Sequence, residues 1–202
     1  MKELKRFCSF LVVAVLLVSC DKTTDFHIIQ GEAQGSTYSI KYIASEEKVT
    51  KNQIDSLLTS FDLSLSTYRL DSKISKINTG DSTVVVDDFF TETFQLSNQI
   101  YKETNGLFDP TIGVLVNAYG FGPNKKHQDL APKQIDSLLQ FVGFDKIALK
   151  SNKTISKKYK ETFIDFNAIA QGYSVDVVVN YLKSKGIENA IVEIGGELFA
   201  LG

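Results

Sequence analysis

The sequence has little cysteine, little proline and almost no excess of charge of either sign. Its two cysteines cannot form a disulfide framework. Its two histidines, His27 and His127, have no cysteine or histidine neighbours at ligand spacing, which argues against a zinc site. A net charge of −2 excludes the strongly basic surface of a nucleic-acid-binding domain. The remaining composition, 43% hydrophobic and 23% charged over 202 residues, is typical of a globular protein with one or two domains.

Several well-known site patterns are also missing. The sequence has no G-x-S-x-G nucleophile turn, no G-x-G-x-x-G dinucleotide pattern and no phosphate-binding P-loop with its lysine. Any ligand site must therefore be built from less familiar segments.

Residues 1–20 have the organisation of a bacterial secretory signal. A basic start is followed by an apolar run at residues 10–18, about half the length that spans a bilayer. The run ends in Leu-Val-Ser before Cys20, which resembles the lipobox of lipoproteins. We therefore expect a lipoprotein signal peptide, a lipid such as palmitate on Cys20, and an anchor on the periplasmic side of a bacterial membrane. A plain signal peptide with a chance cysteine is the alternative.

The rest of the chain predicts a short tether at residues 21–30 and a folded domain at residues 31–202. Period-2 alternation and β-branched runs predict strands, whereas apolar residues at helical spacing with capping and stop residues predict helices. The predicted strands are residues 37–43, 83–86, 144–150, 162–166, 190–194 and 198–201. The predicted helices are residues 46–65, 73–77, 88–103, 132–142 and 172–185. Strands and helices do not alternate strictly, so the expected fold class is α+β.

The chain ends in an apolar segment, residues 199–202, without a polar tail. Chains rarely stop inside a core strand, so the sequence predicts a C-terminally truncated portion of a longer protein.

Four segments break simple periodicity and are candidates for a site. Residues 31–37 hold two glycines before a strand, and residues 65–72 hold hydroxyls, Tyr68 and a cation at a helix end. Residues 106–122 are rich in glycine and aromatic residues, and residues 164–173 lead from a strand carrying Asp165 into a helix. Such segments suit a flat ligand, a phosphate at a helix start, or Mg²⁺ bound by oxygen ligands. Each also has a structural alternative, namely a turn that starts a strand, a polar helix junction, an Ω-type loop or an ordinary strand-to-helix turn.

Taken in order, these segments resemble the ApbE family, the FAD:protein FMN transferases. The resemblance lies in GEAQGSTYSI, LSTYRLDSKISKIN, TNGLFDPTIGVLVNAYGFG, IDFNAIAQGYSVD and IVEIGGELFALG. It implies mixed sheets packed with helices, binding of FAD and Mg²⁺, and transfer of FMN from FAD to a threonine hydroxyl of a target flavoprotein. It further implies that the acceptors are flavoprotein subunits of membrane redox complexes.

The resemblance also implies binding residues at the flavin end of FAD. Gln34 stands where the family usually has methionine against the flavin, and Tyr68 matches the aromatic residue that lines the pocket. Glutamine weakens apolar packing on the ring but keeps hydrogen bonding available.

Further positions match the remainder of the FAD site and the metal site. Leu107, Phe108 and Asp109 match the stretch around adenine and ribose, and Asp165 and Gln171 match positions that contact FAD. Ala168 matches the residue whose backbone carbonyl helps hold the metal. Gln171 replaces a residue that is commonly charged. The resemblance identifies no catalytic residue in this chain.

The family's side-chain metal ligands lie in an Asp and Ser/Thr-rich motif beyond the region matched here. One backbone carbonyl cannot hold Mg²⁺, which takes six oxygens. The sequence therefore predicts a partial FAD pocket and little or no transferase activity for the 202-residue chain by itself. The alternatives are a lipid-anchored FAD-binding protein, an FAD pyrophosphatase without transfer activity, and a structural lipoprotein with no ligand.

Overall fold

Strands and helices are interspersed along residues 25–123 and 129–202, which the computed structural model describes. The strands are β1 (Asp25–Ala33), β2 (Ser36–Ala44), β3 (Ile147–Leu149), β4 (Ile155–Lys157), β5 (Ala190–Ile194) and β6 (Glu197–Leu201). The helices are α1 (Lys51–Leu65), α2 (Lys73–Asn78), α3 (Asp88–Glu103), α4 (Gly113–Ala118), α5 (Pro132–Leu139) and α6 (Asn167–Ser184), and Phe144–Lys146 forms a 3₁₀ turn. The predicted signal peptide with Cys20 lies outside the described residues, as does His127.

The main sheet has the strand order β1-β2-β5-β6, and every neighbouring pair is antiparallel. A separate two-stranded sheet pairs β3 with β4. One parallel bridge links Ile112 to Phe163. These elements confirm the α+β fold class expected from the sequence.

Two apolar cores hold the layers together. The first lies between one face of the main sheet and helices α1 and α6, and includes Ile40, Val192, Ile54 and Leu182. The second lies among the helices and the 3₁₀ turn, and Phe61, Phe90, Phe144 and Phe166 are four of its buried members. Helix α1 contributes to both cores, with Ile54 and Leu58 in the first and Phe61 and Leu65 in the second. None of the helices in the described ranges is long and apolar enough to cross a bilayer.

Strand β1 begins at Asp25, so the structure places residues 25–30 in the sheet rather than in a tether. The strand was missed because its apolar residues do not alternate cleanly. Phe26 and Ile28 are exposed on one face while Ile29 is buried on the other, so the segment has no clear period.

The strand predicted at residues 83–86 is wrong. This segment makes only an isolated bridge between Val85 and Thr154. Its β-branched residues favour extended backbone. Val86, however, packs into the second core, where it is 2% exposed, and the bridge is not extended into a strand pair.

The strand predicted at residues 162–166 is also wrong, although the reason differs. Ile164 is buried, and both of its backbone groups bond to the Asn78 side chain, with Nδ2 donating to the carbonyl and Oδ1 accepting from the N–H, each at 2.8 Å. The Asp165 N–H donates to the carbonyl of Pro110 at 2.7 Å. A side chain and a loop thus satisfy the backbone groups that a neighbouring strand would have satisfied.

Most other predicted elements are confirmed, with shifted ends. Helix α3 has the predicted bounds, and β5 and β6 flank Gly195 and Gly196 as expected.

Helix α1 begins at Lys51 because Thr50 supplies a capping box with Gln53. Helix α6 begins at residue 167, five residues before its predicted start, and α5 ends before Val142. The strand predicted at residues 144–150 is a 3₁₀ turn followed by the short strand β3.

Replacing Asp87 with alanine is expected to lower the free energy of unfolding by about 1–3 kcal/mol. Asp87 Oδ1 caps α3 by accepting from the Phe90 N–H at 3.0 Å, and it also accepts from the buried Ser64 hydroxyl at 2.6 Å. The substitution therefore removes the cap and leaves a buried hydroxyl without its acceptor. Urea denaturation followed by circular dichroism measures the change.

Asp88→Ala is the matched control, since the Asp88 side chain is 84% exposed and meets only the exposed Lys153. It should change the free energy of unfolding by no more than about 0.5 kcal/mol. Equal losses in the two variants would contradict the assignment of Asp87 as a cap.

Candidate functional site

A cleft of about 670 Å³ lies where three separate segments meet, a volume suited to a small-molecule ligand. One wall is the end of α1 with the turn that follows it, and the other is the β1–β2 turn with the start of α6. The lining residues are Gln34, Gly35, Phe61, Asp62, Leu65, Ser66, Tyr68, Arg69, Asn167, Ala170 and Gln171. Three of the residues predicted to bind FAD, Gln34, Tyr68 and Gln171, are therefore brought together.

Gln34 enters the cleft from a two-residue hairpin turn. Gln34 and Gly35 have φ values of 55° and 74°, which is the conformation of a type I′ turn between antiparallel strands. The Ser174 hydroxyl donates to the carbonyl of Gln171 at 2.6 Å, and its oxygen lies 3.2 Å from Gln34 Oε1. Gln34 Nε2 is buried and has no acceptor within the described residues. The turn expected as the structural alternative is present, and it also places Gln34 in the lining of the cleft.

Gln171 joins the cleft to the main sheet. Its Nε2 donates to the carbonyl of Ile194 at 3.2 Å, just before the β5–β6 turn. A Cβ added at Gly195 would lie 1.6 Å from this nitrogen, and Gly195 has a φ of 58°. In this conformation Gln171 leaves no room for a side chain at residue 195, and the left-handed backbone of Gly195 favours glycine independently.

Tyr68 stands on a turn that is fixed by a serine. The Ser72 hydroxyl caps α2 and is within hydrogen-bond distance of the Ser66 carbonyl at 2.7 Å and the Arg69 carbonyl at 2.9 Å. The Tyr68 hydroxyl donates to the carbonyl of Phe121 at 3.3 Å, and 55% of Tyr68 remains exposed. An aromatic face is thus held at the mouth of the cleft, ready to contact a planar ligand.

Arg69 is the basic residue that lines the cleft, but it is already paired. Its Nε and Nη2 donate to the two carboxylate oxygens of Asp71 at 3.1 and 2.9 Å. This guanidinium holds the pKa of the Asp71 carboxyl below its ordinary value.

Asp62 is a cleft residue that the sequence analysis missed. Burial raises the pKa of its carboxyl, and the positive charge of Arg69 opposes that rise only in part. The carboxylate has no hydrogen bond or ion pair within the described residues. Its spacing in the sequence indicated burial, because position 62 lies on the same face of α1 as the buried residues Leu58, Phe61 and Leu65.

The remaining predicted FAD residues lie outside the lining of this cleft. Leu107 is 94% exposed, and Phe108 is partly buried beside it. Asp109 is committed to its own turn, since its Oδ1 accepts from the N–H and the hydroxyl of Thr111 at 2.8 and 2.6 Å. This loop nevertheless contacts the strand-to-helix segment through the Pro110 carbonyl and the Asp165 N–H.

Asp165 is buried directly behind the start of α6. It is 8% exposed, and its Oδ1 accepts from the Asn167 N–H at 2.8 Å. Burial raises the pKa of the Asp165 carboxyl, while the Asn167 N–H acts in the opposite direction. Asp165 therefore orders the first turn of α6, and Asn167 from that turn lines the cleft.

The described residues do not by themselves form a magnesium site. Ala168, the predicted carbonyl ligand, is exposed in the first turn of α6. No group of three or more His, Cys, Asp or Glu residues that could hold a metal ion occurs in residues 25–123 and 129–202. A single backbone oxygen is too little for an ion that takes six ligands. His27, whose ring stacks on Tyr42 at 4.9 Å, packs in the sheet and is no candidate ligand.

Comparison with known proteins gives one consistent result. Residues 34–202 match the ApbE family. The FAD:protein FMN transferase of Vibrio cholerae serotype O1 is 36% identical over 204 residues, which cover 93% of this chain and 58% of that protein. The enzyme of the same name from Haemophilus influenzae is 33% identical, with 100% of this chain and 62% of that protein covered. The structure of flavin transferase ApbE from Vibrio cholerae has a TM-score of 0.81 at 34% identity, covering 89% of this chain and 60% of that one. The chain thus spans about 60% of the length of these relatives.

Asp165→Asn is expected to raise the free energy of unfolding at pH 7. A carboxyl whose pKa is higher in the folded than in the unfolded chain binds more protons when folded. Its contribution to stability therefore falls as the pH rises above its ordinary pKa of 3.8. Asparagine keeps the oxygen that accepts from Asn167 and carries no charge to bury. The difference in the free energy of unfolding between variant and wild type should grow from about pH 4 upward and vanish at lower pH. Urea denaturation at a series of pH values measures it.

Asp88→Asn, which removes an exposed carboxylate, serves as the control and should show no such opening gap. A wild type that is more stable than Asp165→Asn at neutral pH would contradict the assignment of an unfavourably buried charge.

Proposed function

Because the chain belongs to the ApbE family, we propose that it is the flavin-binding portion of an FAD:protein FMN transferase. One observation carries the proposal. Gln34, Tyr68 and Gln171, which match the family's FAD-contacting positions, come from three distant segments and line one cleft. The names of the relatives support the same reading, since both curated proteins are FAD:protein FMN transferases.

The reaction transfers FMN from FAD to a threonine hydroxyl of a target flavoprotein. The threonine oxygen forms a bond to the phosphorus on the FMN side, the bond from that phosphorus to the bridging oxygen breaks, and AMP leaves with that oxygen. The hydroxyl proton is lost to solvent or to a base. Such a displacement depends mainly on positioning and on stabilising charge.

The residues of this chain supply positioning. Tyr68 offers an aromatic face held by Phe121, and Gln171 forms a wall held by the sheet. Phe61, Leu65 and Ala170 provide an apolar surface for a planar ring. The start of α6, ordered by Asp165, presents the positive end of a helix dipole, which favours phosphate.

The proposal includes Mg²⁺ as a requirement of the transfer, on the strength of the family resemblance. When bound, the ion would neutralise charge on the pyrophosphate and the leaving AMP. Within the described residues Ala168 is the expected protein ligand, and the other oxygens of the site would have to come from elsewhere, the nucleotide included.

We also propose a lipid anchor at Cys20 and a location on the periplasmic side of a bacterial membrane. The support is the basic start, the apolar run and the lipobox-like end of residues 1–20. That location suits acceptors that are flavoprotein subunits of membrane redox complexes.

Mass spectrometry provides the test of the activity. The protein, expressed from its complete reading frame, is incubated with FAD, Mg²⁺ and a purified acceptor subunit, and a mass gain of one FMN on an acceptor threonine with release of AMP is expected. FMN and AMP formed without labelling would identify an FAD pyrophosphatase instead. Absence of FAD binding by the 202-residue chain, with and without Mg²⁺, would overturn the proposal.

Tyr68→Ala is expected to weaken FAD binding by roughly 1–3 kcal/mol, the size found when an aromatic residue that stacks on a base is removed. The variant loses the ring that faces the cleft and its contact with Phe121. Titration followed by flavin fluorescence measures the affinity.

Two controls accompany this substitution. Tyr68→Phe keeps the ring and should bind FAD nearly as well as wild type. Leu70→Ala changes a neighbouring side chain that is 90% exposed and does not line the cleft, so it should also leave binding unchanged. An unchanged affinity in Tyr68→Ala would count against stacking.

A further inference from the structure

The Tyr38 ring of strand β2 lies over strand β1. Its cross-strand partner in β1 is Gly31, and a Cβ added there would lie 2.6 Å from ring atom Cε1 and 2.7 Å from the hydroxyl oxygen. The ring occupies this space because residue 31 has no side chain. One of the two glycines in residues 31–37 thus makes room for a side chain of the protein itself.

The Tyr38 hydroxyl joins the β1–β2 hairpin to helix α1. It donates to Asp55 Oδ1 at 2.6 Å, a hydrogen bond that we call the Tyr38–Asp55 link. Lys51, one helical turn before Asp55, donates to Asp55 Oδ2, also at 2.6 Å. The bonds from Lys51 and Tyr38 lower the pKa of the Asp55 carboxyl, so it is an ionised acceptor at neutral pH. Tyr38 is 2% exposed, which shields this charge-assisted bond from water.

Tyr38 is also the point at which the sheet stops supporting the hairpin. It is the last residue of β2, in the direction of the turn, that pairs with β5, where it lies opposite Ile194. The Gly195 N–H still donates to the Thr37 carbonyl at 3.0 Å. Beyond Tyr38 the hairpin continues for three residues to Gly35, about 10 Å of strand, and ends in the turn that lines the cleft.

Helix α1 runs the same distance from the link to the cleft. Asp62, which lines the cleft, lies two helical turns after Asp55, about 10 Å along the axis. The space between hairpin and helix is an open pocket of about 500 Å³, whose lining includes residues 31–33, Leu58 and both carboxylates. In the ranges that the structure describes, no hydrogen bond joins residues 31–35 to α1. The separation of hairpin and helix at the cleft therefore depends on where they are joined, at the link.

We propose that Tyr38 is a positioning residue for FAD: its hydrogen bond to Asp55 sets the separation of the two walls, the β1–β2 turn and α1, between which the nucleotide binds. The inference rests on the proposed function and adds Tyr38, Asp55 and Gly31, none of which lines the cleft. Tyr38 acts through the turn rather than by contact with the nucleotide. A preformed separation of the walls favours affinity, because less order has to be imposed on binding.

Tyr38→Phe tests the link with the smallest change. The variant keeps the ring and the charge and loses only the hydroxyl. The Kd for FAD is expected to rise about 3- to 10-fold, because the turn is no longer held against α1. Titration followed by flavin fluorescence measures the affinity, and urea denaturation of the same samples measures the free energy of unfolding.

Tyr42→Phe is the matched control, four residues away on the same strand and face and 1% exposed. The Tyr42 hydroxyl donates to the Val49 carbonyl at 3.3 Å and accepts from the Lys48 and Val49 N–H groups at 3.2 and 3.3 Å. It therefore holds the segment before α1 rather than the turn. Tyr42→Phe should lose at least as much stability as Tyr38→Phe and keep the affinity for FAD. Equal weakening of FAD binding in the two variants would assign the effect to lost stability and overturn the inference.

Two substitutions of Asp55 separate the hydrogen bond from the charge. Asp55→Asn and Asp55→Ala remove the same charge, but only asparagine keeps an oxygen that accepts from Tyr38. Asp55→Asn should bind FAD within about 2-fold of wild type, and Asp55→Ala about 3- to 10-fold more weakly. Adding Tyr38→Phe to Asp55→Ala should weaken binding no further, because both changes break the same link. Equal affinities of the asparagine and alanine variants, or losses that multiply in the double variant, overturn the inference.

The outcomes also separate this inference from the proposed function. An unchanged affinity in Tyr38→Phe, when wild type binds FAD, overturns the inference and leaves the function standing. Failure of wild type to bind FAD, with and without Mg²⁺, overturns both.

Discussion

A single asparagine side chain fixes the position of the helix start on which the cleft depends. Asn78 pairs with both backbone groups of Ile164, a fully buried residue that belongs to no strand. Without this pair, two polar groups would lie unsatisfied inside an apolar core, at a cost of about 1–3 kcal/mol each. Because Asp165 and the first turn of α6 follow directly, the pair determines where Asn167 and Gln171 face. The contact spans 86 residues of sequence, so it connects the end of α2 to the segment that leads into α6.

The polar groups of the cleft lie on two opposing walls. The Asp62 carboxylate lies on the α1 wall of the cleft, whereas Gln34 and the start of α6 lie on the other wall. A ligand with hydrogen-bond donors toward α1 and negative charge toward the start of α6 would match this arrangement. The apolar lining residues Phe61, Leu65 and Ala170 contribute contact surface but do not orient a ligand. Orientation of a ligand is therefore set by a few polar atoms, and affinity is expected to come largely from the ring.

Elements with a regular pattern were predictable from sequence, and those whose partners are distant were not. Helix α3 follows from its apolar spacing and the stop at Asn105-Gly106, both of which are local, and the structure adds the Asp87 cap. The segment at residues 162–166 is paired at Ile164 by a side chain from α2, which no local pattern reveals. Gln34, Tyr68 and Gln171 were found through the ordered family motifs rather than through spacing, and the comparisons confirm that resemblance. Asp62 was missed because its significance depends on lacking a partner, and only the fold shows which groups a carboxylate meets.

The contact between Gln171 and Gly195 has an evolutionary consequence. The amide nitrogen of residue 171 occupies the space in which a side chain at residue 195 would begin. A larger residue at 195 would therefore turn the Gln171 amide, the end of a flexible side chain, away from the Ile194 carbonyl, while the φ of 58° favours glycine at 195 whatever residue stands at 171. Asparagine is the most natural substitute, because it tolerates the left-handed backbone of the β5–β6 turn better than other non-glycine residues.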